Sequence, residues 1–403
     1  MTVNNLNCPS AEQLVHRLLD DRSYDIEFNG HLTNHAKHAV IALAGLGASP
    51  QRIEEFYATY PEETPYGHLL RPPRPATVTI TDDNWREFWG ARKHFTAYCA
   101  FFDQKERELG LQEVLRTYVP PLLDGWLGGF AHGTIHLGWA LAAGSRWMII
   151  EGLAYSAYSY RSCHPERSHH ASCSGAGAVD SLLTTVRGWN GEYDDFVAHI
   201  NDVITDTTAR AMHGIDPELA RSGLQFRVAR LLADGHPSFY EIPAWIDEHD
   251  IGACWKQMYY IVTLSYLVVP GDIVLLHLIT SLFALERIAE WLPIEQQRYI
   301  LRCFWIGMFG LLLHDGNPPD LTTLETLHAA YCNTIDAPGA ADPDWNALVA
   351  RAMEEKEEHN PKLVYVLRAL WRRTGGKDIY RVAAHYFTET PDYPSHFDAP
   401  PAE

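Results

Sequence analysis

The amino-acid sequence predicts an all-α fold for residues 1–403, read as a single large helical domain. Apolar residues recur with a helical period from residue 11 to residue 388. Persistent strand-like alternation and internal repeats are absent. Hydrophobic residues make up 46 % of the chain, with 12 Trp, 20 Tyr and 15 Phe, which supplies a large aromatic core. Taken in order, 11–20 reads as a short amphipathic helix and 31–46 as the next, ended by Gly45 and Gly47. Within the second helix His31, His35 and His38 share a face. Helix resumes over 51–60. Residues 61–84 form a Pro-rich loop with a short strand at Thr77–Ile80. From Asn84 to Gly110 a helical pattern carries a core-facing stripe of Trp85, Phe88, Trp89, Phe95, Tyr98, Phe101 and Phe102.

The stretch Trp126–Ala140 is the centre of the sequence. His132 and His136 are four residues apart, which puts both imidazoles on one helix face, about 5–6 Å apart at Cβ. Gly128, Gly129, Gly133 and Gly138 weaken helix propensity but let another helix approach closely. On this stretch alone, a metal-binding pair and two buried structural histidines read equally well.

Beyond it, 161–178 is rich in Ser, His, Gly and Cys and reads as an exposed, mobile loop. Cys163, His164, His169, His170 and Cys173 fit no common zinc spacing. Helical patterns return over 180–235 and 241–292, with His277 in an otherwise apolar stretch, where a lone histidine reads as a satisfied core residue. Residues 297–313 form a buried helix and 335–344 a linker. In the following helix, burial begins near His359 and Lys362. A last helix at 377–388 leads to an extended tail, 389–403.

Composition limits function. The chain has 32 basic and 51 acidic side chains, a formal net charge of −19, and no long Lys/Arg run, which disfavours nucleic acid and anionic membranes as partners. Seven scattered cysteines without a Cys-x-x-Cys pair suit a reducing compartment, and no signal peptide is visible, so a cytoplasmic location is expected. Pro270, Gly271 and Asp272 cut the most apolar region, 259–285, into halves too short to span a bilayer. Gly45-Leu-Gly-Ala-Ser49 ends a helix and lacks the third glycine of a dinucleotide loop. No nucleophile elbow, phosphate loop or His-Glu-x-x-His is present. Glu166-Arg-Ser-His169 is one half of a helical di-iron motif, and His396-Phe-Asp398 lies in the tail. What remains is a set of helical histidines, and imidazole is a good ligand for iron, zinc and copper.

Four segments carry a resemblance. They are Asn34-His35-Ala-Lys-His38 running into Ile41–Ala48, Gly129-Phe-Ala-His132-Gly-Thr-Ile-His136, Leu276-His277-Leu-Ile-Thr280 with Ala284, and His359-Asn-Pro-Lys362 leading to Arg368-Ala-Leu370. In this order they resemble the questin oxidase-like proteins of aromatic polyketide pathways. The resemblance implies a helical oxygenase that opens a ring of an anthraquinone-like small molecule by carbon–carbon cleavage. It implies Fe(II) between core helices, held by His35, His132, His277, His359 and Lys362, with O₂ as co-substrate. His38 and His136 then orient ligands, face substrate or move protons. A protonated lysine has no lone pair to offer a metal, so Lys362 would bind as a neutral amine or as a carbamate formed with CO₂. The bland alternative leaves its ammonium in water. Two rivals stand beside this reading: a Baeyer–Villiger-type monooxygenase consuming NADPH, for which no nucleotide fingerprint speaks, and a helical polyketide-binding protein with structural histidines.

Overall fold

Ser10 starts the first helix, Ala11–Leu19, by a reciprocal capping box with Gln13. The computed structural model describes residues 10–173, 175–193, 195–208, 219, 222–334 and 344–391. It is predominantly helical, as the periodicity predicts. Among the described residues strands occur only as two short pairs, Glu27–Phe28 with Leu32–Thr33 and His169–Cys173 with Glu241–Pro243. One continuous hydrophobic core runs from Leu14 to Ala384.

At its centre, the helices His132–Ala143 and Arg146–Tyr158 form an antiparallel hairpin about Gly144 and Ser145. Helix Ile273–Ala289, capped by Asp272 on the N–H groups of Val274 and Leu275, packs across His132–Ala143. Helix His359–Arg373 packs on Ala36–Leu46 and Ile273–Ala289, which closes the group. The closeness depends on small residues. A Cβ built on Gly138 would lie 2.3 Å from both Cα and the carbonyl oxygen of Ala284. Backbone cannot yield as a flexible side chain can, so Gly138→Ala is expected to cost about 1–3 kcal/mol through overpacking. A urea midpoint unchanged from wild type would contradict this packing.

Several sequence expectations need correction. The second helix starts at Ala36, not at residue 31, because Asn29 and Gly30 take left-handed backbone (φ 48° and 79°) and turn a small hairpin. His31 therefore leaves the face of His35 and His38. Gly47 (φ 95°) ends this helix, while Gly45 lies inside it against Tyr365. No strand forms at Thr77–Ile80: Pro72, Pro73 and Pro75 precede it, and proline cannot donate to a ladder. In the 84–110 stretch helix begins only at Phe95. Gly90 and Arg92 turn the chain with positive φ, and their N–H groups bond to the carbonyls of Ala157 and Tyr158. The central helix likewise begins at His132, after turns, rather than at Trp126.

The 161–178 stretch is not an exposed loop throughout. Cys163 is fully buried beside Cys303, and the strand His169–Cys173 pairs with Glu241–Pro243. The side chains of 169–173 lie outside the described residues, as do most of the 335–344 linker and His396 and Asp398. Near the C-terminus, a helix Trp345–Glu354 ends before a new one starts at His359, and burial begins earlier than expected, at Glu357. No helix among the described residues is long and apolar enough to cross a membrane.

Candidate metal centre

Four histidines meet near the starts of four helices. His35 is the residue before Ala36–Leu46, His132 opens its helix, His277 lies one turn into Ile273–Ala289, and His359 opens His359–Arg373. Ring centroids lie 4.7 Å apart for His35 and His132, 4.6 Å for His35 and His359, 4.9 Å for His132 and His277, and 4.9 Å for His277 and His359. Ligand nitrogens of His35, His132 and His359 lie within 4.8 Å of one another. All four side chains are buried.

Hydrogen bonds to the outer ring nitrogens fix which nitrogen faces the centre. The Nδ1–H of His132 donates to the Gly129 carbonyl at 2.8 Å, and that of His277 to the Ile273 carbonyl at 2.6 Å. A carbonyl only accepts, so in both neutral rings the proton is on Nδ1 and the lone pair on Nε2. His359 Nδ1 meets the Glu357 carboxylate at 2.5 Å, and its buried Nε2 has no protein partner. The Nε2 atoms of His132 and His277 are 3.2 Å apart. With both Nδ1–H groups already committed to carbonyls, two lone pairs face each other there. Such an arrangement is repulsive when empty and favourable around a cation.

Electrostatics keep the rings neutral. Burial, reinforced mainly by Lys362 or by neighbouring histidines, pushes His35, His132, His277 and His359 well below the ordinary imidazole value. Lys362 is fully buried, which overturns the solvent-pointing alternative, and its Nζ lies 2.6 Å from His35 Nδ1. Burial lowers its ammonium to about 8, against the opposing pull of Glu358 and Glu357. Those two carboxyls are themselves raised by burial, to about 8 and about 7. Glu357 accepts the backbone N–H groups of His359 and Asn360, and Glu358 accepts from Tyr60. Glu357, Glu358 and His359 form a second group able to hold a metal ion.

His38 and His136 stand one step back. The His38 ring is 5.3 Å from His35 and 4.9 Å from His136. His136 Nε2–H donates to Glu151 at 3.3 Å, and the same carboxylate oxygen accepts from Lys37 at 2.6 Å. Trp147 donates to the other oxygen of Glu151. The buried Lys37–Glu151 pair escaped sequence reasoning, because single charges on helices read as solvated. Lys37 next to His38 in an otherwise apolar helix was the available signal. Glu357 and Glu358 were missed for the same reason, inside a run of charges.

On the open side, a cavity of about 60 Å³ reaches His35, His132, His277 and His359 between apolar walls that include Phe130, Leu224 and Ile273. A buried cluster of imidazoles, fit to hold a metal ion and opening on a largely apolar cavity within a helical protein, defines the class of site. The chain belongs to the questin oxidase-like family, whose model matches residues 32–367 and so spans every residue of the cluster. It is 33 % identical over 140 residues to the Baeyer–Villiger oxidase AgnL3 of Paecilomyces divaricatus, covering 32 % of this chain and 29 % of that protein. It is 24 % identical over 343 residues to the oxidoreductase AflY of Aspergillus parasiticus, covering 77 % of this chain and 64 % of that protein. The matched part thus spans less than two thirds of either relative.

Proposed function

We propose that this chain is an iron-dependent oxygenase that oxidatively opens a ring of an anthraquinone-like aromatic polyketide, with His35, His132, His277, His359 and Lys362 holding the metal. The observation that carries this reading is the pair of facing Nε2 lone pairs on His132 and His277, with the unpartnered Nε2 of His359 nearby. Ferrous iron held there would supply O₂ binding and activation. The chain's own groups do the rest. Gly129 and Ile273 hold the rings of His132 and His277 in the tautomer that offers Nε2, and Glu357 anchors the His359 ring through Nδ1. Apolar walls seat a flat ring and exclude water. Because the cavity holds only a few water-sized groups, a ring would have to widen it on entry.

A charge argument supports the carbamate form of Lys362. Four helix N-termini, each with partial positive charge, surround the site, and neutral imidazoles do nothing to offset a dication. Lysine amine plus CO₂ gives a carbamate and a proton, which adds an anionic oxygen donor where the amine now sits. Lys362→Ala is expected to lose most bound iron and to regain part of it with added short carboxylates. Full iron content and activity without rescue would remove Lys362 from the ligand set.

His136 is assigned to orienting or proton-moving work through Glu151. His136→Ala is expected to keep iron, with metal affinity or turnover reduced about 10–100-fold. Complete metal loss there, with His132→Ala still loaded, would exchange the roles of the two. The decisive test of the whole reading is anaerobic iron loading followed by labelled O₂ and candidate anthraquinones. Absence of stoichiometric iron would favour a binding protein, and NADPH-dependent insertion of one oxygen atom would favour a Baeyer–Villiger-type reaction.

A further inference from the structure

Thr33 is buried and lines the cavity beside His35. Its Oγ1 lies 2.7 Å from the hydroxyl of Tyr155, and Tyr155 in turn donates to Glu27 at 2.8 Å. Glu27 is the cross-strand partner of Thr33 in the small hairpin, so the two side chains stand on one face, bridged by the tyrosine. We propose that Thr33 Oγ1 is a specificity-determining acceptor for a hydroxyl of the substrate, its polarity fixed from behind by Tyr155 and Glu27; the inference rests on the aromatic-substrate reading above.

The polarity follows from where the protons are. Arg92 Nη2 donates to both oxygens of buried Glu27, at 2.8 and 2.7 Å, and a guanidinium is always charged. Tyr158 adds a donor to the second oxygen at 3.2 Å. Burial raises the Glu27 carboxyl, and Arg92 and the two tyrosine hydroxyls oppose that rise. Each oxygen of Glu27 thus receives two donors, which fills its acceptor sites and leaves it no proton to give. The Tyr155 proton is therefore committed to Glu27. A hydroxyl carries one proton, so in the contact between Tyr155 and Thr33 the proton is the threonine's. What the Thr33 hydroxyl offers the cavity is then a lone pair alone. A ligand hydroxyl can donate to it. A carbonyl placed there would set oxygen against oxygen with no proton between, at a cost comparable to a lost hydrogen bond. The cavity wall thus sorts ring substituents by hydrogen-bond role as well as by size.

The test uses the full chain and three uncharged anthraquinones of similar size, bearing a hydroxymethyl, carbaldehyde or ethyl group at one ring position. Binding is followed by quenching of tryptophan fluorescence, with and without a chelator. Wild type is expected to bind the hydroxymethyl probe about 10- to 100-fold tighter than the carbaldehyde, whether or not metal is removed. Thr33→Val keeps the shape and removes the oxygen, and should bring the two within about threefold. Tyr155→Phe supplies a signature that lost packing does not produce. It releases the Thr33 proton, so carbaldehyde binding should rise about tenfold while ethyl binding stays unchanged. Should Tyr155→Phe not fold, Thr33→Ser, which keeps the hydroxyl, must retain the preference that Thr33→Val loses. Equal binding of the hydroxymethyl and carbaldehyde probes by wild type overturns the hydroxyl seat and leaves the aromatic pocket standing. A preference that persists in Thr33→Val, or that vanishes from wild type on chelation, puts the hydroxyl elsewhere and also overturns it. Unaltered carbaldehyde binding in folded Tyr155→Phe overturns the assigned polarity. Failure of all three probes to bind overturns the aromatic-substrate reading, and the seat with it.

Discussion

His132→Ala and His277→Ala are each expected to lose stoichiometric iron and essentially all oxygenase activity while keeping wild-type helical circular dichroism. The two Nε2 atoms face each other at 3.2 Å, and each outer nitrogen is pinned by a carbonyl of its own turn. Deleting one ring removes a donor that no neighbour can replace without turning against its own hydrogen bond. The loss of affinity should therefore exceed the about 10–100-fold typical of an outer partner. The fold should persist, because the core runs almost the length of the described chain. Iron content by elemental analysis, read beside dichroism, checks both halves. Unchanged iron in both variants would remove these residues from the centre.

The second large effect is on pH. His35, His38, His132, His136, His277 and His359 are all buried and held below 6.5, with burial the first cause in each. Above 6.5 they are neutral in both folded and unfolded chains and add no pH dependence. Below it the unfolded chain takes up protons that the folded chain refuses, so stability falls with falling pH. Glu357 and Glu358 work the other way: raised to about 7 and about 8, they keep two protons in the folded chain that an unfolded one has lost above 4.5. Six refused protons against two retained ones leave the histidines dominant below 6.5, so stability falls as the pH falls through the ordinary imidazole range. Metal-free protein should thus lose stability progressively below pH 6.5 and unfold on acidification, because total stability is only about 5–15 kcal/mol. Dichroism at 222 nm along an acid titration in chelator measures this. A helical signal unchanged down to pH 4 would contradict neutral burial of the six rings.

The helical class was legible because its signal is periodic and repeated. Where helices begin was less so. The starts at Ala36, Phe95 and His132 depend on left-handed turns at Gly30, Arg92 and Ala131, and only the first is a glycine. Arginine and alanine give no warning of such backbone. The thiol of Cys163 is buried by Cys303, 140 residues away in sequence, which local composition cannot reveal. The candidate ligands were nameable because four short segments resembled a family in order. Periodicity alone gave only histidines on apolar helices. The carboxyls buried around them, Glu151, Glu357 and Glu358, were hidden, because a glutamate shows its burial only once its partner across the fold is known.

The contact between Lys362 and His35 joins residues 327 apart in sequence. On a growing chain the cluster therefore cannot exist until the helix beginning at His359 has been made, and uptake of the proposed metal would follow synthesis. Before that moment the three earlier histidines are ordinary basic side chains, able to protonate or to capture stray ions singly. Filled with the proposed metal, the site would act as a clasp between segments far apart in the polypeptide. Closing a loop of that length costs about 5 kcal/mol of chain entropy by its logarithmic dependence on length alone. If the site holds iron, its loss should loosen the contact between the helices Ala36–Leu46 and His359–Arg373 while the shared core keeps them folded.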